Sequence, residues 1–336
     1  MDCEVLVIGG GAAGCIAASK LASKQVKTAL VTAGTPATAM SPGRVQMTTQ
    51  DPYGPELQKF LQTAGAPYGL FTNNEETTAW TNKGTLYQQS LSALYDNNMD
   101  ATAVAGIENN KDLDPTLFAK MVYKVSHQEL PNHWLPAGDL DTLAAGLQEI
   151  SADKIIIPPL FDLRHYQTGM QTLADKCGRQ LCEAATPLAH PGRRLSECLL
   201  QAAKTAGVQV LAGRRVTEIT GSTARIISGL REQTIEYQTL LLASGNLVSG
   251  GLMLDGNLVR EPLLGLNVTE VHNGKLRSAA LTEALAAGIC AHGCRAAAGV
   301  YACGSLVAGL SYPFNKGLWE VMLNAWKTAE TIQEAL

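Results

Sequence analysis

Val5-Leu6-Val7-Ile8-Gly9-Gly10-Gly11-Ala12-Ala13-Gly14 is the stretch whose reading decides the fold. Its four aliphatic residues form an unbroken run, the pattern of a strand buried on both faces of a parallel sheet. The glycines that follow fit G-x-G-x-x-G between a strand and a helix, the context in which that spacing has physical meaning. Gly9 permits a tight turn. Gly11 has no Cβ, so a phosphate can approach the backbone, and Gly14 lets the helix lie close to the strand. The helix that opens at Ala12 and Ala13 offers free N–H groups and the positive end of its dipole to such a phosphate. It is expected to run to Ala22, with a second strand over Lys27 to Val31. This βαβ start needs a parallel sheet to pair in.

One part of the dinucleotide fingerprint is absent. An acid is expected about 20 residues on, to accept from a ribose hydroxyl. The second strand instead ends Thr32-Ala33-Gly34. Thr32 offers one neutral hydrogen bond, so the adenosine end of a dinucleotide is held weakly or is not there.

Late in the chain the sequence returns twice to a strand ending in glycine. These are Leu240–Leu242 into Ala243-Ser244-Gly245, and Val300-Tyr301-Ala302-Cys303 into Gly304. That layout suits a flavin, FAD or FMN, threaded along the sheet better than a nicotinamide cofactor held by one block. A last helix from about Gly317 and Leu318 is placed to aim its N-terminal N–H groups at a flavin carbonyl. Its Leu318, Val321, Met322, Ala325, Ala329 and Ile332 keep helical spacing. Before the first return lie short strands at Val208–Leu211, Arg214–Ile219, Ala224–Ser228 and Gln233–Tyr237, with Val216 among the candidate cofactor contacts.

The fold class expected is therefore α/β: a Rossmann-like flavin-binding domain with an inserted cap or substrate region. Residues 1–50, 181–250 and 290–336 are assigned to the flavin domain. Residues 51–180, rich in Gln, Asn, Thr and Pro and weak in periodicity, form the insert of mixed structure. Residues 251–289 are an excursion within the flavin domain.

Bulk properties bound the function. Apolar residues make up 46% of the 336 and charged residues 17%, with a formal net charge of -4. That is globular composition without the clustered Lys/Arg footprint of a nucleic-acid binder. No apolar stretch reaches the roughly 18 residues of a membrane span, and Met1-Asp2-Cys3-Glu4 carries acids where a signal peptide is basic. A cytoplasmic chain is expected, peripheral on the inner membrane face only through a partner. Of eight cysteines, only Cys290 and Cys294, with His292 between, have a metal-like spacing. No second pair accompanies them, so they read as reduced thiols and no metal site is assigned.

On these motifs the chain resembles the second subunit of anaerobic glycerol-3-phosphate dehydrogenase, within the fumarate reductase/succinate dehydrogenase flavoprotein group. Val5–Gly14 and Leu30–Gly34 match the opening, Thr32 included. Met40-Ser41-Pro42-Gly43 falls at that family's turn after the second strand. Gly84-Thr85-Leu86, Val104–Ile107 and Asp114-Pro115 echo its middle region. Pro187 to Leu195 resembles its proline-rich helix entry. Ser249–Leu252, Arg260-Glu261-Pro262 and Leu264–Leu266 are the most specific stretch. The chain departs in a shorter middle and in a glycine turn reduced to Asn315-Lys316-Gly317.

The resemblance implies a flavin, a small-molecule substrate, and two partners: a catalytic flavin subunit and an iron–sulfur subunit. Electrons would pass from glycerol 3-phosphate toward quinone. It also implies that Ser41, Pro42 and Gly43, with Arg44, lie near the flavin ring. They read equally as an ordinary turn. Arg260 is a candidate for binding an anionic group, or for a local ion pair with Glu261. His190, beside Arg193 and Arg194, is a candidate anion pocket or an exposed basic turn. Two other readings stand beside this one: a stand-alone flavin oxidoreductase of another hydroxy acid or enoate, and a structural subunit that has lost its flavin.

Overall fold

A computed structural model describes residues 2–45, 47, 51–71, 77–83, 86–89, 102–256, 258–269, 287–289, 294–308, 310 and 317–336. The elements open with β1 (Asp2–Ile8), α1 (Ala12–Ser23), β2 (Thr28–Thr32), α2 (Gly54–Gly65), β3 (Thr77–Trp80) and β4 (Leu86–Gln89). Then follow β5 (Thr102–Ile107), α3 (Pro115–Ser126), β6 (Asn132–Leu135), α4 (Leu140–Gln148), β7 (Lys154–Ile157), α5 (Tyr166–Cys177), β8 (Gln180–Glu183) and α6 (His190–Thr205). The last third holds β9 (Gln209–Ala212), β10 (Arg215–Thr220), β11 (Thr223–Ser228), β12 (Arg231–Leu242), β13 (Met253–Asp255) and β14 (Leu258–Arg260). It closes with β15 (Val268–Thr269), β16 (Gly288–Ile289), β17 (Arg295–Ala297), β18 (Val300–Ala302) and α7 (Gly317–Ala335). The chain divides into two units: Met1–Thr38, Thr48–Phe60 and Leu199–Leu336 in the first, Ala39–Met47 and Leu61–Cys198 in the second.

The first unit is built on one sheet in the order β10-β11-β12-β1-β2-β9, with β18 also on β12. β9, β2, β1, the second half of β12 and β18 run parallel. β1 is central and its Val5, Leu6 and Val7 are wholly buried, as an unbroken aliphatic run demands. β12 is a single strand where the sequence suggests two. Its first half alternates buried Ile235 and Tyr237 with exposed neighbours and pairs antiparallel with β11; its second half, Leu240 to Leu242, is buried throughout and pairs with β1. One strand thus serves a half-exposed ladder and a two-sided core in turn.

Helices α1 and α7 pack together. α7 buries Trp319, Met322, Leu323, Trp326, Ala329 and Ile332, the i, i+3, i+4 stripe of a core-facing helix. Lys20 of α1 is buried yet charged. Its Nζ lies 2.5 Å from Glu330, 3.2 Å from Glu56 and 4.4 Å above the Trp326 ring.

The second unit holds a sheet that weak periodicity conceals in the sequence. Its strands run parallel in the order β6-β5-β7-β8. The chain starts at β5, steps to β6, crosses back to β7 and moves on to β8, so it is doubly wound. Core packing agrees: α3 lays Phe118 and Val122 against Val104 and Ile156, while α4 and α5 lay Leu143, Leu147 and Leu173 against Ala103, Ala105, Ile155 and Ile157 on the opposite face. The helix starts are set locally. Asp114 caps α3 by accepting from the Thr116 and Leu117 N–H groups at 2.9 Å, and Asp139 caps α4 through Thr142.

Candidate cofactor site

A cleft of about 570 Å³ opens at the carboxyl ends of β1, β2 and β12 in the first unit. The glycine turn forms its floor, and each glycine there has its own reason. Gly9 has φ +119°, and a Cβ on it would stand 2.2 Å from the Ala243 carbonyl oxygen. A Cβ on Gly14 would stand 1.8 Å from the Gly9 oxygen. Gly11 differs: its backbone is extended, and a Cβ would meet nothing nearer than Thr38 Oγ1 at 3.5 Å. What a side chain there would fill is the cleft itself. Gly10, in a position the fingerprint leaves open, must also be small, because Thr32 Oγ1 lies 2.3 Å from where its Cβ would be.

Thr38 is a residue the sequence reading missed. Its buried hydroxyl lines the cleft and accepts from the Ala12 N–H at 2.9 Å, at the first turn of α1. The signal was a hydroxyl close behind the second strand, without a motif to mark it. Thr32 and Ala33 line the cleft as well, and the Thr32 carbonyl accepts from the Arg214 N–H at 3.1 Å. Arg214, Arg215 and Val216 border the same end. The missing acid therefore has arginines beside it.

Ala243, Ser244 and Gly245 line the cleft, as does Ser305 next to Gly304. Gly304 has φ +70°, its N–H donates to Asn324 Oδ1 at 2.8 Å, and a Cβ there would press on Ala13. α7 reaches the cleft through Val321; Gly34, Gly317 and Leu318 are not among its lining residues. Asn315 and Lys316, Cys290 and His292 fall outside the described residues. Glu261 is a second residue missed: it is buried, lines the cleft, and accepts from the Leu263 and Leu264 N–H groups at 2.9 and 2.7 Å.

The Arg260–Glu261 ion pair is corrected by this geometry. Arg260 is exposed and lies 3.7 Å from Asp255 across the β13–β14 hairpin, while the Glu261 carboxylate is taken up by the Leu263 and Leu264 N–H groups. The basic turn around His190 is corrected too. Arg194 is buried and engaged: it pairs with Glu183 through both terminal nitrogens, donates to the Phe161 carbonyl at 2.8 Å and stacks 3.9 Å over Tyr166. His190 borders a different cleft. Ser41, Pro42 and Gly43 belong to the second unit, where Gly43 and Gly192 let two segments meet back to back: a Cβ on Gly43 would be 2.3 Å from the Pro191 oxygen, and one on Gly192 2.2 Å from the Ser41 oxygen. Trp319 and Trp326 of α7 are buried in the core.

Residues 4–263 match the family described as FAD binding domain. The chain belongs to the FAD binding domain family. No curated protein matches it significantly. Among solved structures it is similar to the OxyS anhydrotetracycline hydroxylase from Streptomyces rimosus, with 13% identity, TM-score 0.43, and coverage of 99% of this chain and 63% of that one. It is also similar to p-nitrophenol 4-monooxygenase PnpA from Pseudomonas putida DLL-E4, with 12% identity, TM-score 0.33, and coverage of 76% and 45%. A third is the myxobacterial chondrochloren halogenase CndH, with 14% identity, TM-score 0.31, and coverage of 73% and 38%. The chain spans less than two thirds of the length of each.

The FAD binding domain fits its cofactor on the chain's own geometry. The space in front of Gly11 would admit a phosphate to the backbone, α1 points its N-terminus there, and Arg214 and Arg215 border the cleft beside the end of β2. A flavin bound here supplies the redox chemistry, and the protein's part is to hold and orient it. The thiols nearby take no part: burial pushes Cys15 up to about 12, and Cys303 higher still. Among the described residues no group of His, Cys, Asp and Glu has the makings of a metal site.

Proposed function

We propose that this chain is a flavin-carrying subunit of an anaerobic glycerol-3-phosphate dehydrogenase-like complex. In this reading electrons leave glycerol 3-phosphate, which becomes dihydroxyacetone phosphate, and pass toward quinone. The observation that carries the reading is the cleft itself: a glycine-turn flavin site whose β2 ends in Thr32 instead of an acid, followed by the Ser249–Leu252 and Arg260–Leu266 stretches that resemble the second subunit of that complex. Passing electrons singly over distance to quinone needs a chain of centres. An iron–sulfur subunit and a catalytic flavin subunit supply them in this proposal. Among the described residues no helix is long and apolar enough to cross a membrane, so contact with a quinone pool is assigned to a partner.

Gentle purification from the chain's own host, with identification of accompanying proteins, cofactor extraction and an absorption spectrum, tests this. The expected result is a flavin-loaded chain travelling with an iron–sulfur protein. A flavin-loaded monomer that alone oxidises glycerol 3-phosphate and reduces quinone directly would overturn it, as would a preparation that takes up no flavin.

A further inference from the structure

The second unit carries a cleft of its own, which shares no lining residue with the cofactor cleft. It measures about 430 Å³ and lies at the carboxyl edge of the β6-β5-β7-β8 sheet, bordered by the loop after β7, the starts of α4 and α5, and His190. The carboxyl edge of a parallel sheet, where strands give way to loops, is where α/β folds commonly hold ligands. We propose that this cleft is a binding site for a neutral, hydroxyl-rich ring, a sugar either free or as part of a nucleoside.

The lining decides the chemistry. Asp162, His165, His190, Thr168 and Thr172 supply the polar groups, and Leu160 and Phe161 the apolar wall. Among the described residues no Lys or Arg lines it, and Asp162 brings a negative charge, so an anion is disfavoured. Asp162 Oδ1 is occupied, accepting from the His165 N–H at 3.0 Å and facing His165 Nδ1 at 2.9 Å. Oδ2 keeps its lone pairs for an incoming donor. The same contact leaves Nε2 of a neutral His165 as an acceptor. A wholly apolar guest would strip water from these groups and give nothing back. A sugar hydroxyl both donates and accepts, and the C–H face of its ring suits a wall of Leu160 and Phe161.

The wall is held in place. Arg194, locked by Glu183, fixes the Phe161 carbonyl. The Phe161 ring lies where Gly169 has no side chain: a Cβ there would come within 2.6 Å of ring carbons. Such anchoring keeps a small site preorganised.

The test uses the full chain with labelled leucine methyl groups, titrated separately with D-ribose, D-glucose, adenosine and inorganic phosphate. Saturable shifts of the Leu140 and Leu160 methyls are expected with at least one of the three neutral compounds and not with phosphate. Asp162→Asn keeps the Oδ1 acceptor but turns Oδ2 into a donor, and should weaken that binding about tenfold or more. Gly169→Ala should weaken it by pushing Phe161 into the cleft, with flavin content unchanged in both variants. Ribose and adenosine against glucose separates a nucleoside from a hexose. No saturable shift with any neutral compound, saturation with phosphate alone, or unchanged affinity in Asp162→Asn overturns the proposal. None of these readouts depends on the electron-transfer role.

Discussion

At the scale of single residues, Thr32 and Glu183 make opposite demands. Thr32 offers at most one neutral hydrogen bond to a ribose, which contributes about 0.5–1.5 kcal/mol net. Thr32→Val should therefore weaken a bound dinucleotide no more than about tenfold, as read from flavin retention on dilution; a loss of a hundredfold would mean the ribose site lies elsewhere. Glu183 is buried against Arg194. Its replacement by Ala strands a buried guanidinium, and a loss of about 3–5 kcal/mol in denaturant unfolding is expected. The contrast explains what the sequence made legible. The positive φ of Gly9, the open approach at Gly11 and the contact of Gly14 with the Gly9 oxygen arise within one turn, so ten residues suffice to read them. Whether Arg194 faces solvent or Glu183 depends on where β8 lies relative to α6, and no local pattern encodes that. Glu261 and Thr38 were missed for the same reason, since each is defined by backbone groups it meets only after folding.

At the scale of elements, the turn into α1 separates folding from binding. Gly11 has backbone angles open to any residue and empty space before it, whereas Gly14 has the Gly9 oxygen against it. Gly11→Val should abolish flavin absorbance and melt near the flavin-free parent, while Gly14→Val should melt below the flavin-free parent. Equal flavin content in Gly11→Val would remove the phosphate from this turn. The contact among α1, α2 and α7 has a pH signature. The hydrogen bond from Lys20 holds the Glu56 carboxyl below its ordinary range. Burial pushes Lys20 down, but its bonds to Glu330 and Glu56 outweigh that and raise it. The lowered acid contributes stability present at neutral pH and lost as pH falls below about 4; the raised amine contributes stability lost only well above about pH 10. Lys20→Met should flatten the acid limb of a stability–pH curve, and an unchanged limb would show that solvent screens the pair. In the first unit β1, α1, β2, the strands from β9 to β12, β18 and α7 were readable from aliphatic runs, helical spacing and glycine stops. β6, β7 and β8 were not: each spans four residues, too few for a period to register, and none runs directly into a glycine as β9 does.

At the scale of the whole molecule, the two larger sheets of the described residues each have a core of their own. A fragment from Ala39 to Thr205 contains every strand and helix of the second sheet, and should melt cooperatively with the mixed circular dichroism of an α/β fold; a featureless spectrum would show that it leans on the rest. The order of synthesis gives the arrangement a further meaning. β1 is made before the other elements described, yet its register of Ile8 with Leu242 joins it to a strand made far later. Until then the glycine turn has only β2 beside it and an uncovered aliphatic edge. The second sheet, whose strands follow one another closely, can form during that wait, in keeping with the speed of local pairings. The nascent first unit is therefore exposed to mispairing for the time it takes to translate the insert. A slower-translated or lengthened insert should increase aggregation without altering a single contact of the finished protein.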